Sequence, residues 1–182
     1  MTDKETRKQR AQQVHGWMGG GELDWLYENA VGKRLVIELG SWCGKSSIML
    51  AVADELICVD TWQGDGSDKH NKAIGGGLNP RKEWERNLKP EIDAGKVAPY
   101  VCDLYSGEDT LVKALEGCAD MVFIDAAHDR DSVATDIRTA RRLLKPGGLL
   151  CGHDYQFGGV NEAVNALVPN HKNPVKSIWV ET

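Results

Sequence analysis

The stretch that most constrains the fold is Val36-Ile37-Glu38-Leu39-Gly40-Ser41-Trp42-Cys43-Gly44. An apolar run ends in an acid and a glycine, and a second glycine follows four residues later. The next residues, Lys45 to Ala53, read as a helix. A strand, a tight glycine-bearing turn and a helix bring backbone N–H groups and a helix N-terminus close to a bound ligand, and glycine permits the approach. A second apolar run, Leu56-Ile57-Cys58-Val59-Asp60, also ends in an acid, and Asp60 lies 22 residues after Glu38. An acid about 20 residues beyond a glycine-rich turn, at the tip of the next strand, is placed to accept hydrogen bonds from ribose hydroxyls. The pair predicts a nucleoside-bearing cofactor in a doubly wound α/β sheet.

The 182 residues fit one domain, 1–182, and leave no room for a separate substrate domain. The net charge of −5 argues against nucleic acid as the main partner. Arg138, Arg141 and Arg142 share a helix face and read as solvated surface. No apolar run approaches the roughly 20 residues of a membrane span, and residues 1–13 have no signal-peptide core. Cys43, Cys58, Cys102, Cys118 and Cys151 are odd in number and widely spaced. They predict reduced thiols in a cytoplasmic protein, mostly as small core residues.

Residues 1–21 form an N-terminal arm, whose first 13 residues are a polar helix or a loose segment. Glu22 to Ala30 carries Leu23, Leu26 and Tyr27 at helical spacing, with Gly32 as C-cap. Strands are expected at 34–39 and 56–60, with a helix at 44–54 between them. Residues 61–79 are glycine-rich and polar and lack a period, so they read as a mobile lid or substrate loop at a strand tip. Asn79-Pro80 starts a helix whose stripe is Trp84, Leu88 and Ile92, ending at Gly95. A third strand covers 97–102. Ser106 with Asp109 resembles a capping box for a helix through Leu111, Val112 and Leu115. Strand four is 120–125, and Val133, Ile137, Ala140 and Leu144 form the stripe of the helix after it. Lys145-Pro146-Gly147-Gly148 turns the chain into strand five, 149–154. Gly158-Gly159 precedes a helix with Val160, Val164 and Leu167, and 175–180 is a last strand. Near-continuous apolar strands alternating with helices mean a mostly parallel sheet with helices on both faces.

The sequence resembles the class I S-adenosylmethionine-dependent methyltransferases, and within them the small bacterial and phage group reading FID-x-x-H, LLKPGG and GHDY. Here these are Phe123-Ile124-Asp125 with His128, Leu143 to Gly148, and Gly152-His153-Asp154-Tyr155, in register with the turn at Glu38, Gly40 and Gly44. The likeness covers about 16–182. It implies a Rossmann-like fold and S-adenosylmethionine as cofactor, with S-adenosylhomocysteine as product. It also implies that Gly40 and Gly44, with Ser41 in the same turn, line the methionine and ribose portion. Ser46 would donate to the methionine carboxylate. Asp60 would hold the ribose, with Thr61 and Trp62 beside the adenine. Cys102, Asp103 and Leu104 would flank the adenine amino edge, and Asp125 would face the sulfonium. The chain departs from many relatives at Trp42, where they have a second glycine, and at Ala126-Ala127, where they have Gly-Asp.

Methyl transfer from a sulfonium is an in-line displacement that needs a positioned acceptor and, for a hydroxyl, a base near the methyl. Asp125, His128, His153 and Asp154 are the candidates, and His128 and His153 suit the base role equally. Asp125 and Asp154 are also hard ligands that could hold Mg²⁺ to acidify a hydroxyl, although Ala127 removes a carboxylate. His15, His70 and His171 stand alone and read as surface residues. Trp42 and Trp62 flank the cofactor turns, Trp179 reads as core, and Trp17 either closes over the site or packs the N-terminal helix. The expected activity is methyl transfer to a small-molecule acceptor, at a hydroxyl oxygen. The alternatives are a cofactor-binding protein without turnover, a metal-dependent hydrolase using Asp125, His153 and Asp154, and a nicotinamide oxidoreductase. The last is disfavoured by the GxxxG spacing. A homodimer is compatible with this class of fold.

Overall fold

Strand β1 (Leu35–Leu39) is buried along its whole length, as its Leu-Val-Ile-Glu-Leu sequence and central place in the sheet require. The computed structural model describes residues 1–64, 68–104 and 108–182. Around β1 the sheet adds β2 (Glu55–Asp60), β3 (Val97–Val101), β4 (Ala119–Ile124), β5 (Leu144–Gly152) and β6 (Trp179–Val180) in the order β3-β2-β1-β4-β5-β6. Neighbours run parallel except β6, which is antiparallel to β5.

Alternation along the strands divides the interior into two cores. Leu35, Ile37, Leu39, Val122 and Ile124 point to one face, beneath α7 (Glu108–Leu115), α8 (Arg130–Leu143) and α9 (Gly158–Leu167). Val36, Met121 and Phe123 point to the other. That face is covered by α1 (Asp3–Gln12), α2 (Gly20–Ala30) and α3 (Lys45–Leu50), joined by Trp84 of α5 (Pro80–Asn87) and by Leu88, which follows it. Glu38 shares this second face with Val36, so a carboxyl group is placed inside a core.

Several boundaries differ from the expectation, each for a local reason. The N-terminal segment is a true helix, with a Thr2–Glu5 capping box, and it is fastened down. Arg10 meets the buried Glu91 at 2.6 and 2.9 Å, and Arg7 meets it at 3.1 Å. Helix α2 begins inside the glycine triplet, because the Glu22 carboxylate caps the Gly19 N–H at 2.7 Å. The loop expected at 61–79 contains a helix, α4 (Asp68–Gly75). The single helix expected from Asn79 to Gly95 is two, α5 and α6 (Lys89–Asp93), since Pro90 has no N–H to continue the first. Leu143 rather than Leu144 closes the α8 stripe, and Leu144 opens β5.

The Lys145–Gly148 segment lies within β5 but out of register. Ala119 faces Leu144 while Met121 faces Leu149, so the intervening residues bulge from the ladder. Residues 175–178 are not strand, and only the two residues of β6 pair with β5. The expected capping box at Ser106 lies outside the described residues. Among the described residues no helix is long and apolar enough to cross a membrane.

Candidate active site

The hydrogen-bond ladder runs one residue past the strands on the carboxyl side. The Asp125 N–H donates to Leu39 O at 2.8 Å, and the His153 N–H donates to Ile124 O at 2.9 Å. Gly40, Asp125 and His153 therefore stand side by side at the tips of β1, β4 and β5. Gly40 has φ +90°, and a Cβ there would come within 2.2 Å of Asp125 O. Only glycine permits so close an approach in that conformation. A cavity opens above these tips, as expected for an open α/β sheet.

The β1–α3 turn is held by backbone. Asp60, at the end of β2, accepts the N–H groups of Ser41 and Trp42 through one oxygen at 2.7 and 2.8 Å, and that of Trp62 through the other at 2.6 Å. Trp42 and Trp62 sit at φ +47° and +56°, where side chains are strained, and such strain collects at functional sites. Behind the turn, Glu38 is fully buried and accepts hydrogen bonds from the Ser41, Ser46 and Ser47 hydroxyls and the Cys58 thiol. Burial pushes the Glu38 carboxyl up to about 7, against the pull of those donors.

The tips of β4 and β5 are held by charge. His153 is 7% exposed, and its Nδ1 faces Asp125 at 3.4 Å and Asp154 at 3.2 Å. Its Nε2 meets Glu22 Oε1 at 3.1 Å. Burial opposes the charged imidazole, yet Asp125, Asp154 and Glu22 together push it up to about 12. Glu22, itself 3% exposed, is drawn down to about 2. Burial works against that ionisation, and the bonds from His153 and the Gly19 N–H outweigh it. Asp154, at φ +60°, splits its oxygens between His153 and His128, whose Nε2 lies 2.8 Å away. Burial would raise the Asp154 carboxyl, and the two imidazoles hold it well below the usual carboxylate range. Asp125, His153 and Asp154 place ligand atoms within 4.8 Å of one another.

Four rings from three segments gather at the mouth. His70 of α4 stacks on Trp42 at 4.1 Å between centroids, and Trp17 lies 5.1 Å from His70 and 6.2 Å from Trp42. The Trp42 indole N–H donates to His15 Nδ1 at 3.0 Å.

The structure brings together most of the residues expected from sequence. Gly40, Ser41, Ser46, Asp60, Thr61, Cys102, Asp103 and Leu104 line the cavity on one side, and Asp125, His128, His153 and Asp154 on the other. Three expected cofactor residues stand behind the wall. Glu38 is enclosed by hydroxyls, Gly44 faces Trp84 and Leu88, and Trp62 is 6% exposed with its ring against Trp84 and under Arg81. His15 and His70 are at the cavity rather than on plain surface, and Trp17 is beside them. Glu22 and Lys45 were not expected at the site. The spacing of Glu22 after Gly19 signals a helix cap, but nothing local signals its contact with His153.

Residues 37–155 match the model of a family described as a methyltransferase domain, which is more than half of the chain. Among solved structures the chain is similar to the O-methyltransferase from Bacillus cereus in complex with SAH, at 15% identity and TM-score 0.64, covering 98% of this chain and 89% of that one. It is similar to the O-methyltransferase TomG from Streptomyces achromogenes, involved in tomaymycin synthesis and in complex with SAM, at 16% identity and TM-score 0.67, covering 99% and 88%. It is also similar to SAH-bound methyltransferase PaMTH1 from Podospora anserina, at 15% identity and TM-score 0.66, covering 99% and 86%. At these identities the likeness establishes the fold, a Rossmann-like sheet of the class I methyltransferase type. By its match over 37–155 the chain belongs to the methyltransferase-domain family.

Proposed function

We propose that this chain binds S-adenosylmethionine across the tips of β1–β3 and transfers its methyl group to a hydroxyl oxygen of a small-molecule acceptor. The observation that carries the reading is one cavity with Gly40, Asp60 and Asp103 on one side and a His128–Asp154 pair on the other. The residues present fit the cofactor. Gly40 leaves the turn without a side chain, and Asp60 keeps lone-pair capacity beyond the three N–H groups it accepts. The solved relatives bound to SAM and SAH support the same cofactor. When bound, it supplies an activated methyl on a sulfonium.

The chain's own work is to orient the acceptor and take its proton. His128 is the base. Asp154 lies 2.8 Å from its Nε2, orienting the ring and stabilising the imidazolium that forms when it takes the hydroxyl proton. His153 is unsuited to that role, because it is already the proton-bearing hub of three carboxylates. We place the α4 segment and the mouth rings on the acceptor side of the cavity, with the described residues 68–79 as its lid. The mostly buried free thiols fit a cytoplasmic setting.

A second reading is favoured by the cluster of Asp125, His153 and Asp154. A divalent cation such as Mg²⁺ would take the place of the His153 proton, with Asp125 and Asp154 as oxygen ligands. A nitrogen in the set suits Mn²⁺ as well. The cation would acidify an acceptor hydroxyl.

The test is transfer of labelled methyl from S-adenosylmethionine to a panel of hydroxylated acceptors, with and without chelator, for the parent and His128→Ala. Turnover by the parent and its loss in the variant is the expected result. Full activity in His128→Ala would remove the base assignment. Loss of activity with chelator, restored by Mg²⁺ or Mn²⁺, would establish the cation.

A further inference from the structure

Four acids, Asp60, Asp103, Asp125 and Asp154, line the cavity. S-adenosylmethionine ends in an α-carboxylate, which needs a partner there. Ser46 was the expected donor. A hydroxyl has one proton to give, and Ser46 donates it to Glu38 inside the core. The imidazole of His153 is committed to three carboxylates.

Lys45 is the one lysine or arginine lining the cavity among the described residues. Its ammonium donates to Val14 O at 3.2 Å and Gly16 O at 3.0 Å, two neutral acceptors. An ammonium carries three donors, so one remains. Among the described residues it forms no ion pair, and partial burial alone lowers its proton affinity. A half-buried cation held by carbonyls and facing a cavity lacks a counter-anion. Its alkyl stem is fixed by the chain opposite, for a Cβ on Gly16 would sit 3.2 Å from Lys45 Cδ.

We infer that Lys45 is the counter-ion of the cofactor's α-carboxylate, held in place by the 14–16 segment between α1 and α2. This rests on the S-adenosylmethionine reading. The same ammonium then joins the N-terminal arm to the bound amino-acid end, so the arm is part of the cofactor site.

The test compares S-adenosylhomocysteine with 5′-methylthioadenosine, which has the nucleoside and thioether but no amino-acid group. Both are titrated calorimetrically into the parent, Lys45→Met and Lys45→Arg. Methionine keeps the stem and removes the charge. In Lys45→Met, S-adenosylhomocysteine should weaken by about tenfold or more and methylthioadenosine by less than about threefold, as expected for loss of one charge-assisted contact. Lys45→Arg should recover much of the difference. Equal losses for both ligands would overturn the inference, making Lys45 only a fastener of the arm. Unchanged S-adenosylhomocysteine binding would overturn it too. A folded parent that binds neither ligand would defeat the cofactor reading itself, and the inference with it.

Discussion

At the tips of β1 and β2 the cavity wall is backbone. Asp60 collects three N–H groups, Gly40 lets two strand tips touch, and the one buried acid behind them, Glu38, is surrounded by hydroxyls. At the tips of β4 and β5 the wall is charge. His153 is ringed by Asp125, Asp154 and Glu22, and Asp154 reaches on to His128. The difference suits two tasks. A cofactor common to many enzymes can be bound by a turn whose geometry is fixed locally. Moving a proton needs carboxylates and imidazoles held against their tendency to neutralise one another, and that takes partners from distant parts of the chain.

The largest expected effect separates the halves by function. His128→Ala should lower methyl transfer by about 10²- to 10⁴-fold while leaving S-adenosylhomocysteine affinity intact, measured by labelled-methyl assay and calorimetry. A parallel fall in affinity would mean the halves are not separate. Next, Gly40→Ala attacks the seam between them. The Cβ would meet Asp125 O at 2.2 Å, and denaturant unfolding should show a loss of roughly 2–4 kcal/mol. A loss near zero would mean that the tips part easily.

The two regions should also answer pH differently. Glu38 is raised from 4.5 to about 7 in the folded protein. Its contribution is therefore full below 4.5 and lost as pH rises toward 7, a change of the order of 3 kcal/mol. His153 is raised from 6.5 to about 12, so its contribution is full below 6.5 and declines across the alkaline range. Glu22, drawn down to about 2, contributes above 4.5 and loses that contribution as pH falls. Stability should peak near pH 4.5, where the Glu22 contribution is gained and the Glu38 contribution begins to fall. Glu38→Gln should flatten the decline from 4.5 to 7 and His153→Gln the decline above it. A slope unaltered by Glu38→Gln would show that this carboxyl is ionised at low pH in the folded state.

The smallest effect concerns the mouth, which belongs to neither half. Trp17 is 52% exposed, and Trp17→Ala should change stability by less than about 1 kcal/mol. A larger loss would make the ring cluster a structural latch.

The backbone half was legible in the sequence because its information is consecutive. Glu38, Gly40 and Asp60 announce a strand, a turn and the next strand tip, and the alternation of apolar runs gives the parallel sheet. Asp125, His153 and Asp154 were also legible, since residues at strand ends converge once the sheet order is known. What failed to show was what depends on distance. Glu22 lies 131 residues from His153, so its cap spacing says nothing of that contact. Ser46 reads as a ligand donor until the buried Glu38 is seen to take its proton. Gly44 reads as cavity lining, but its open side faces Trp84 and Leu88. His15 and His70 look solitary because the Trp42 ring they share lies in a third segment.

The most direct measurement is calorimetric titration of S-adenosylhomocysteine into the parent, Asp60→Ala and His128→Ala, each first shown to be folded. Micromolar binding by the parent, lost in Asp60→Ala and kept in His128→Ala, is the predicted result. No binding by the folded parent, or equal losses in the two variants, would contradict a cofactor seat on the backbone half and a proton-transfer site on the charged half.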